Sequence, residues 1–99
     1  MKILTKQIVA AYANVMLDIM ENNPSNENTK NIYQTLRELS IEWDNLYYNG
    51  SDSEKEIGNA IEKAAETAGM YYTAGEVIDF DNDEMFKGLI QLVQLGKED

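Results

Sequence analysis

The sequence predicts an all-α fold, a four-helix bundle in a single domain over residues 1–99. Apolar side chains recur at steps of three and four in four successive segments, runs rich in Asn, Ser, Gly and Asp separate those segments, and no long stretch alternates as a strand would. With 43% hydrophobic residues in 99, the chain can build one core, which excludes the disordered class and leaves no room for a second domain.

Thr5 is the expected N-cap of the first helix, which runs to about Asn22 with Ile8, Tyr12, Val15 or Met16, and Ile19 on one face. Val9, Leu17 and Met20 widen that stripe, so this helix reads as apolar around most of its circumference and as the central one. Its apolarity also raises the chance of a homodimer. Asn22 to Asn28 reads as a loop by composition, and Pro24 drives Asn23 out of helical angles.

The second helix has the clearest period: Ile32, Leu36, Leu39, Trp43 and Leu46 form one stripe, with Arg37, Glu38, Asp44 and Asn45 toward water. Asn49-Gly50 is expected to end it, glycine supplying left-handed angles. Ser51 and Glu54 then match a capping box, and so short a turn makes the second and third helices antiparallel.

Ile57, Ile61, Ala64, Ala68 and Tyr71 give the third helix its stripe, and the small residues Ala60, Ala64, Ala65, Ala68 and Gly69 predict close packing of its C-terminal half. Whether that helix breaks at Gly69 stays open; Gly75 stops it. Glu76 to Phe80 reads as an extended connector anchored by Val77, Ile78 and Phe80. Asp81 and Glu84 cap a last helix whose Met85, Phe86, Leu89, Leu92 and Val93 point inward before Gly96 terminates it.

Histidine and cysteine are both absent, which removes thiol nucleophiles, Ser-His and Cys-His triads, disulfides and the usual zinc ligands. Carboxylate pairs such as Glu38 and Glu42 remain, with no Gly-rich phosphate loop beside them. The chain therefore reads as non-enzymatic and without a cofactor. Lys6, Gln7, Asn14 and Asp18 break up the apolar N-terminal stretch, which lacks the run of about 7 to 15 apolar residues of a secretory signal. Nor does any run reach the ~18 apolar residues of a membrane span, so no membrane insertion is expected and the cytoplasm is the expected location.

Charge is the strongest compositional feature. The net value is −10, beyond the magnitude of roughly 2 to 8 that keeps a small domain soluble. Residues 1–50 hold six acids and four bases, net −2, whereas residues 51–99 hold twelve acids and four bases, net −8. Such a field disfavours direct contact with nucleic acid and favours a basic protein surface.

Asp79, Asp81 and Asp83 occupy the first, third and fifth positions of a calcium loop, but Glu84 stands where that loop needs glycine and Ile90 where it needs a bidentate Glu. Capping of the last helix explains the run better, and no metal site is assigned. The acids divide into Glu76, Asp79, Asp81, Asp83 and Glu84 on the connector, and Asp52, Glu54, Glu56, Glu62 and Glu66 on the third helix. A solvated face is the plainer reading of both groups; an array of carboxylates resembling a nucleic-acid backbone is the functional one. Tyr47-Tyr48 and Tyr71-Tyr72 should each place one ring in the core and leave the other outside, so Tyr48 and Tyr72 are the candidate aromatic anchors.

In size, charge, lack of catalytic residues and Lys/Asn/Ile/Tyr-rich usage suggesting an AT-rich bacterial host, the chain resembles the small acidic inhibitors of phages and mobile elements, the anti-CRISPR and DNA-mimic proteins. That resemblance implies a stoichiometric blocker whose acids from Asp52 to Glu84 occupy the basic channel of a host defence or nucleic-acid-binding protein. In its pattern, Lys6-Gln7-Ile8-Val9, then Ile32 to Tyr48, then Tyr72 to Leu95, it also resembles bacteriocin immunity proteins of the enterocin A type. This second resemblance implies a four-helix bundle that protects a bacteriocin producer. The expected contact residues are Asp52, Glu54, Glu62, Glu66, Glu76, Asp79, Asp81, Asp83 and Glu84, with Tyr48 and Tyr72.

Overall fold

A computed structural model describes residues 4–47, 50–78 and 83–97, and places in them four helices: α1 (Lys6–Asn22), α2 (Asn26–Leu46), α3 (Asp52–Ala74) and α4 (Asp83–Lys97). No strand occurs among the described residues. The first three starts each have a local cause. Thr5 Oγ1 accepts the Ile8 N–H at 3.2 Å, and Ser25 Oγ accepts the Asn28 N–H at 3.0 Å. At α3, Ser51 Oγ accepts the Glu54 N–H at 3.4 Å while Glu54 Oε2 accepts the Ser51 N–H at 3.2 Å, the expected capping box.

The α1–α2 loop is shorter than composition suggested. Ser25 recruits Asn26, Glu27 and Asn28 into the first turn of α2, and only Asn23 to Ser25 lie between the helices. Helix α2 also stops earlier than expected. Tyr47, at φ −124°, ends it, and Gly50 does not take a left-handed angle. The glycine with positive φ among the described residues is Gly75, at 71°. Its N–H and that of Glu76 donate to the Tyr72 and Tyr71 carbonyls at 3.1 and 2.9 Å, closing the end of α3. Helix α3 therefore runs through Gly69 unbroken.

Register contacts fix the topology. Trp43 Nε1–H donates to the Glu54 carbonyl at 2.8 Å at one end of the α2–α3 seam, and Tyr33 stacks on Tyr72 at the other, so the two helices are antiparallel. Gly88 of α4 faces Ala64, and Gln91 Nε2 donates to Glu56 Oε1 at 3.4 Å, which makes α4 antiparallel to α3. Gly96, at the far end of α4, lies against Ala10 and the Lys6 carbonyl at the start of α1. The result is an up-down-up-down bundle in which α1 packs chiefly on α4 and only slightly on α2.

That arrangement corrects the central role expected of α1. Helices α3, between α2 and α4, and α4, between α3 and α1, share the middle, and α1 lies at the edge of the series. The buried face of α1 is also rotated by about one residue: Val9, Ala13, Met16 and Met20 are buried, while Ile8 and Val15 are exposed. Small Ala10 lets α4 approach at Gly96, and that close approach sets the face.

The core joins Leu36 and Trp43 of α2, Ile57 and Ile61 of α3, and Met85, Leu89 and Leu92 of α4, with Ile78 from the connector. Each such side chain, fully buried, contributes about 1.5–3 kcal/mol of transfer free energy. Trp43 is buried as its place in the stripe predicted. Leu46, the last residue of α2, is exposed although it fits the stripe.

Thr29 and Thr67 are the buried polar side chains among the described residues. Thr67 Oγ1 donates to the Lys63 carbonyl at 3.1 Å. Thr29 Oγ1 donates to the Ser25 carbonyl at 3.1 Å and accepts the Ile78 N–H at 3.0 Å, pinning the connector to α2. Ile78 anchors there as expected, whereas Val77 points outward; Phe80 lies outside the described residues. Gly96, expected to terminate α4, is instead buried inside it, where α4 touches α1.

Candidate functional site

A groove of about 780 Å³ runs along the outer side of the α2–α3 seam. Its floor is small because α3 places Ala65 and Gly69 there. Tyr33 of α2 lies over Gly69, whose added Cβ would stand 2.9 Å from the ring edge, so glycine is what lets the ring settle. The same device recurs at the other end of the seam. A Cβ at Gly58 would meet the Trp43 ring at 3.1 Å.

Tyr33 is held from two sides. Its ring stacks on Tyr72 with centroids 5.5 Å apart, and Arg37 Nη1–H donates to its hydroxyl at 3.3 Å with the guanidinium carbon 5.7 Å from the ring centre. The rims carry Ile41 from α2 and Met70 from α3, which are 57% and 72% exposed. Exposure of that extent on two facing helices marks an apolar surface left uncovered by the bundle.

Glu62 and Glu66, both exposed, stand along the α3 rim of this groove. One turn apart, they repel each other, and neither has an ion-pair partner among the described residues. Tyr72 does not line this groove; it stacks on Tyr33, which does. Two expected contact residues, Glu62 and Glu66, are thus brought together with Tyr33, Arg37, Ile41 and Met70.

The other expected residues are dispersed. Asp52 is exposed at the start of α3, and Glu54 beside it is half-buried with its carboxylate committed to the capping box. At about 1.5 Å per residue, Ala74 lies about 33 Å along α3 from Asp52, and Glu76 stands just past that opposite end. Glu76 and Tyr72 there line a hollow of about 410 Å³ with Asn26, Glu27, Thr29 and Lys30. Glu84 is exposed in the first turn of α4, which Asp83 begins. Tyr48, Asp79 and Asp81 lie outside the described residues. Of the tyrosine pairs, Tyr71 packs against the core and Tyr72 is 44% exposed, dividing as expected.

Sequence reasoning missed Tyr33, Arg37, Ile41 and Met70. Ile41 and Met70 were detectable as apolar residues falling off the stripes of their helices, five and nine positions after the buried Leu36 and Ile61. Nothing in either helix alone says that the two face one groove.

Among the described residues no three acidic side chains converge as a metal site would require, and no helix is long and apolar enough to cross a membrane. Set against known protein families, curated proteins and solved structures, the chain finds no match.

Proposed function

We propose that the protein is a non-enzymatic binding protein that acts in the cytoplasm as a stoichiometric blocker, seating its acidic α3 side on the basic surface of a nucleic-acid-binding protein, in the manner of anti-CRISPR and DNA-mimic inhibitors. The observation that carries this reading is Glu62 and Glu66 standing exposed, with no ion-pair partner among the described residues, beside an uncovered apolar groove. Carboxylates on a rigid helix hold fixed spacing, and apolar and aromatic neighbours supply the anchoring that charge alone lacks. The overall charge of −10 draws a basic partner from a distance.

Reversing Asp52, Glu62, Glu66 and Glu84 to Lys together tests the reading. The expected result is loss of binding with the melting temperature preserved; binding that survives all four reversals sinks it.

A second reading is a bacteriocin immunity protein of the enterocin A type. The antiparallel four-helix arrangement with its shortest helix last favours it, because the resemblance implies that architecture. Its test is growth: production in a bacteriocin-sensitive strain restores growth in the bacteriocin, and an absence of protection removes the reading.

A further inference from the structure

The groove between α2 and α3, we propose, receives an amphipathic helix of the partner protein, with the helix's apolar ridge on Ile41 and Met70 and its Lys or Arg residues, one turn apart on one edge, against Glu62 and Glu66. This deepens the reading of an acidic protein on a basic partner and rests on it.

Shape, charge and side-chain chemistry select that occupant. The groove lies between two antiparallel helices, open along its length, and from Glu62 to Ala74 extends about 18 Å, the length of about three helical turns. An extended strand would find no sheet edge there to pair with, whereas a helix needs only apolar knobs at successive turns. Met70 is unbranched and can adapt to a ridge of varied side chains. The carboxylates of Glu62 and Glu66 are one turn apart, the spacing of Lys or Arg on successive turns of a helix lying alongside. On the opposite rim Arg37 repels a second basic edge, so charge sets which way round the helix lies. A second copy of this chain is a poor occupant, because each copy would bring a net charge of −10.

Labelled model peptides of about twelve residues, alike in their Leu ridge and carrying either Lys or Glu along one edge, test the proposal by fluorescence anisotropy and by amide chemical shifts of the labelled protein. The Lys-edged peptide is expected to bind at least about tenfold more tightly than the Glu-edged one and to shift amides within 33–41 and 62–74. Met70→Ser with Ile41→Ser is expected to weaken that binding about tenfold, and Glu62→Lys with Glu66→Lys to reverse the preference. Asp52→Lys with Glu84→Lys, an equal charge change away from the groove, is expected to leave the preference intact. Equal binding of both peptides, shifts elsewhere on the bundle, or indifference to Met70→Ser with Ile41→Ser overturns the proposal. So does a doubled mass in light scattering that Met70→Ser abolishes, because the groove would then belong to a second copy. Reversals away from the groove that abolish capture of a basic protein, with the peptides showing no preference, leave the acidic reading standing and remove the groove alone.

Discussion

The Tyr33 ring rests over Gly69, at a distance that a single added methyl group would reduce to 2.9 Å. That contact joins the packing of the bundle to the shape of its surface, because the same ring forms the end of the α2–α3 groove, stacks on Tyr72 and carries Arg37. A larger residue at position 69 must displace the ring. Gly69→Val is expected to lower stability by about 1–3 kcal/mol despite the flexibility lost with glycine. Chemical denaturation measures the cost, and an unchanged midpoint would show that the ring does not rest there.

Gly96 and Gly75 separate two reasons for a glycine. A Cβ at Gly96 would collide with Ala10 and come within 2.9 Å of the Lys6 carbonyl, so Gly96→Ala must push α1 from α4. The expected loss is about 1–3 kcal/mol, or roughly 4–8 °C in Tm per kcal/mol for a domain of this size. Gly75 has open space around it but a φ of 71°, so Gly75→Ala costs about 1 kcal/mol through the backbone alone. A Gly96→Ala melting curve unchanged from wild type would contradict the close approach of α1 and α4.

Thr29 holds the connector by one hydroxyl. Thr29→Val keeps the shape and leaves the buried Ile78 N–H without its acceptor, a loss of about 1–3 kcal/mol. Faster hydrogen exchange at the Ile78 amide, with the amides of α1 little affected, is the accompanying signature.

Trp43 couples the start of α3 to α2 through its Nε1–H bond to the Glu54 carbonyl. Trp43→Ala removes that bond and opens a cavity in the core, for an expected loss of about 3–5 kcal/mol. Urea denaturation followed by circular dichroism reads it, and a loss below about 1 kcal/mol would place the indole outside the core.

Glu62 and Glu66 are expected to separate stability from binding. Glu62→Gln with Glu66→Gln relieves a repulsion one turn apart and stabilises the protein by about 0.2–0.5 kcal/mol, while weakening attachment to a basic partner. A variant that loses both stability and binding would mean that the carboxylates serve the fold.

The elements legible in the sequence were those set by local chemistry. Ser51 with Glu54 announced the start of α3, Gly75 its end, and the spacing from Ile32 to Trp43 the buried face of α2. What local pattern could not supply was the pairing of helices. Val9 and Ile8 are adjacent apolar residues on α1, and which of them is buried depends on α4 lying against Ala10 through Gly96. Leu46 fits its stripe yet is exposed at the last residue of α2. The candidate site was legible by halves: acidity singled out Glu62 and Glu66, but Ile41 and Met70 become one surface only when α2 and α3 pack side by side.

Capture from a bacterial lysate, with partners identified by mass spectrometry at low and high salt, tests the central claim most directly when wild type is set against a Glu62→Lys, Glu66→Lys, Glu84→Lys variant of equal melting temperature. The account predicts that wild type retains a nucleic-acid-binding protein that high salt or added DNA releases, and that the variant does not. Equal retention by the two, or recovery of a membrane transporter component in its place, would contradict it.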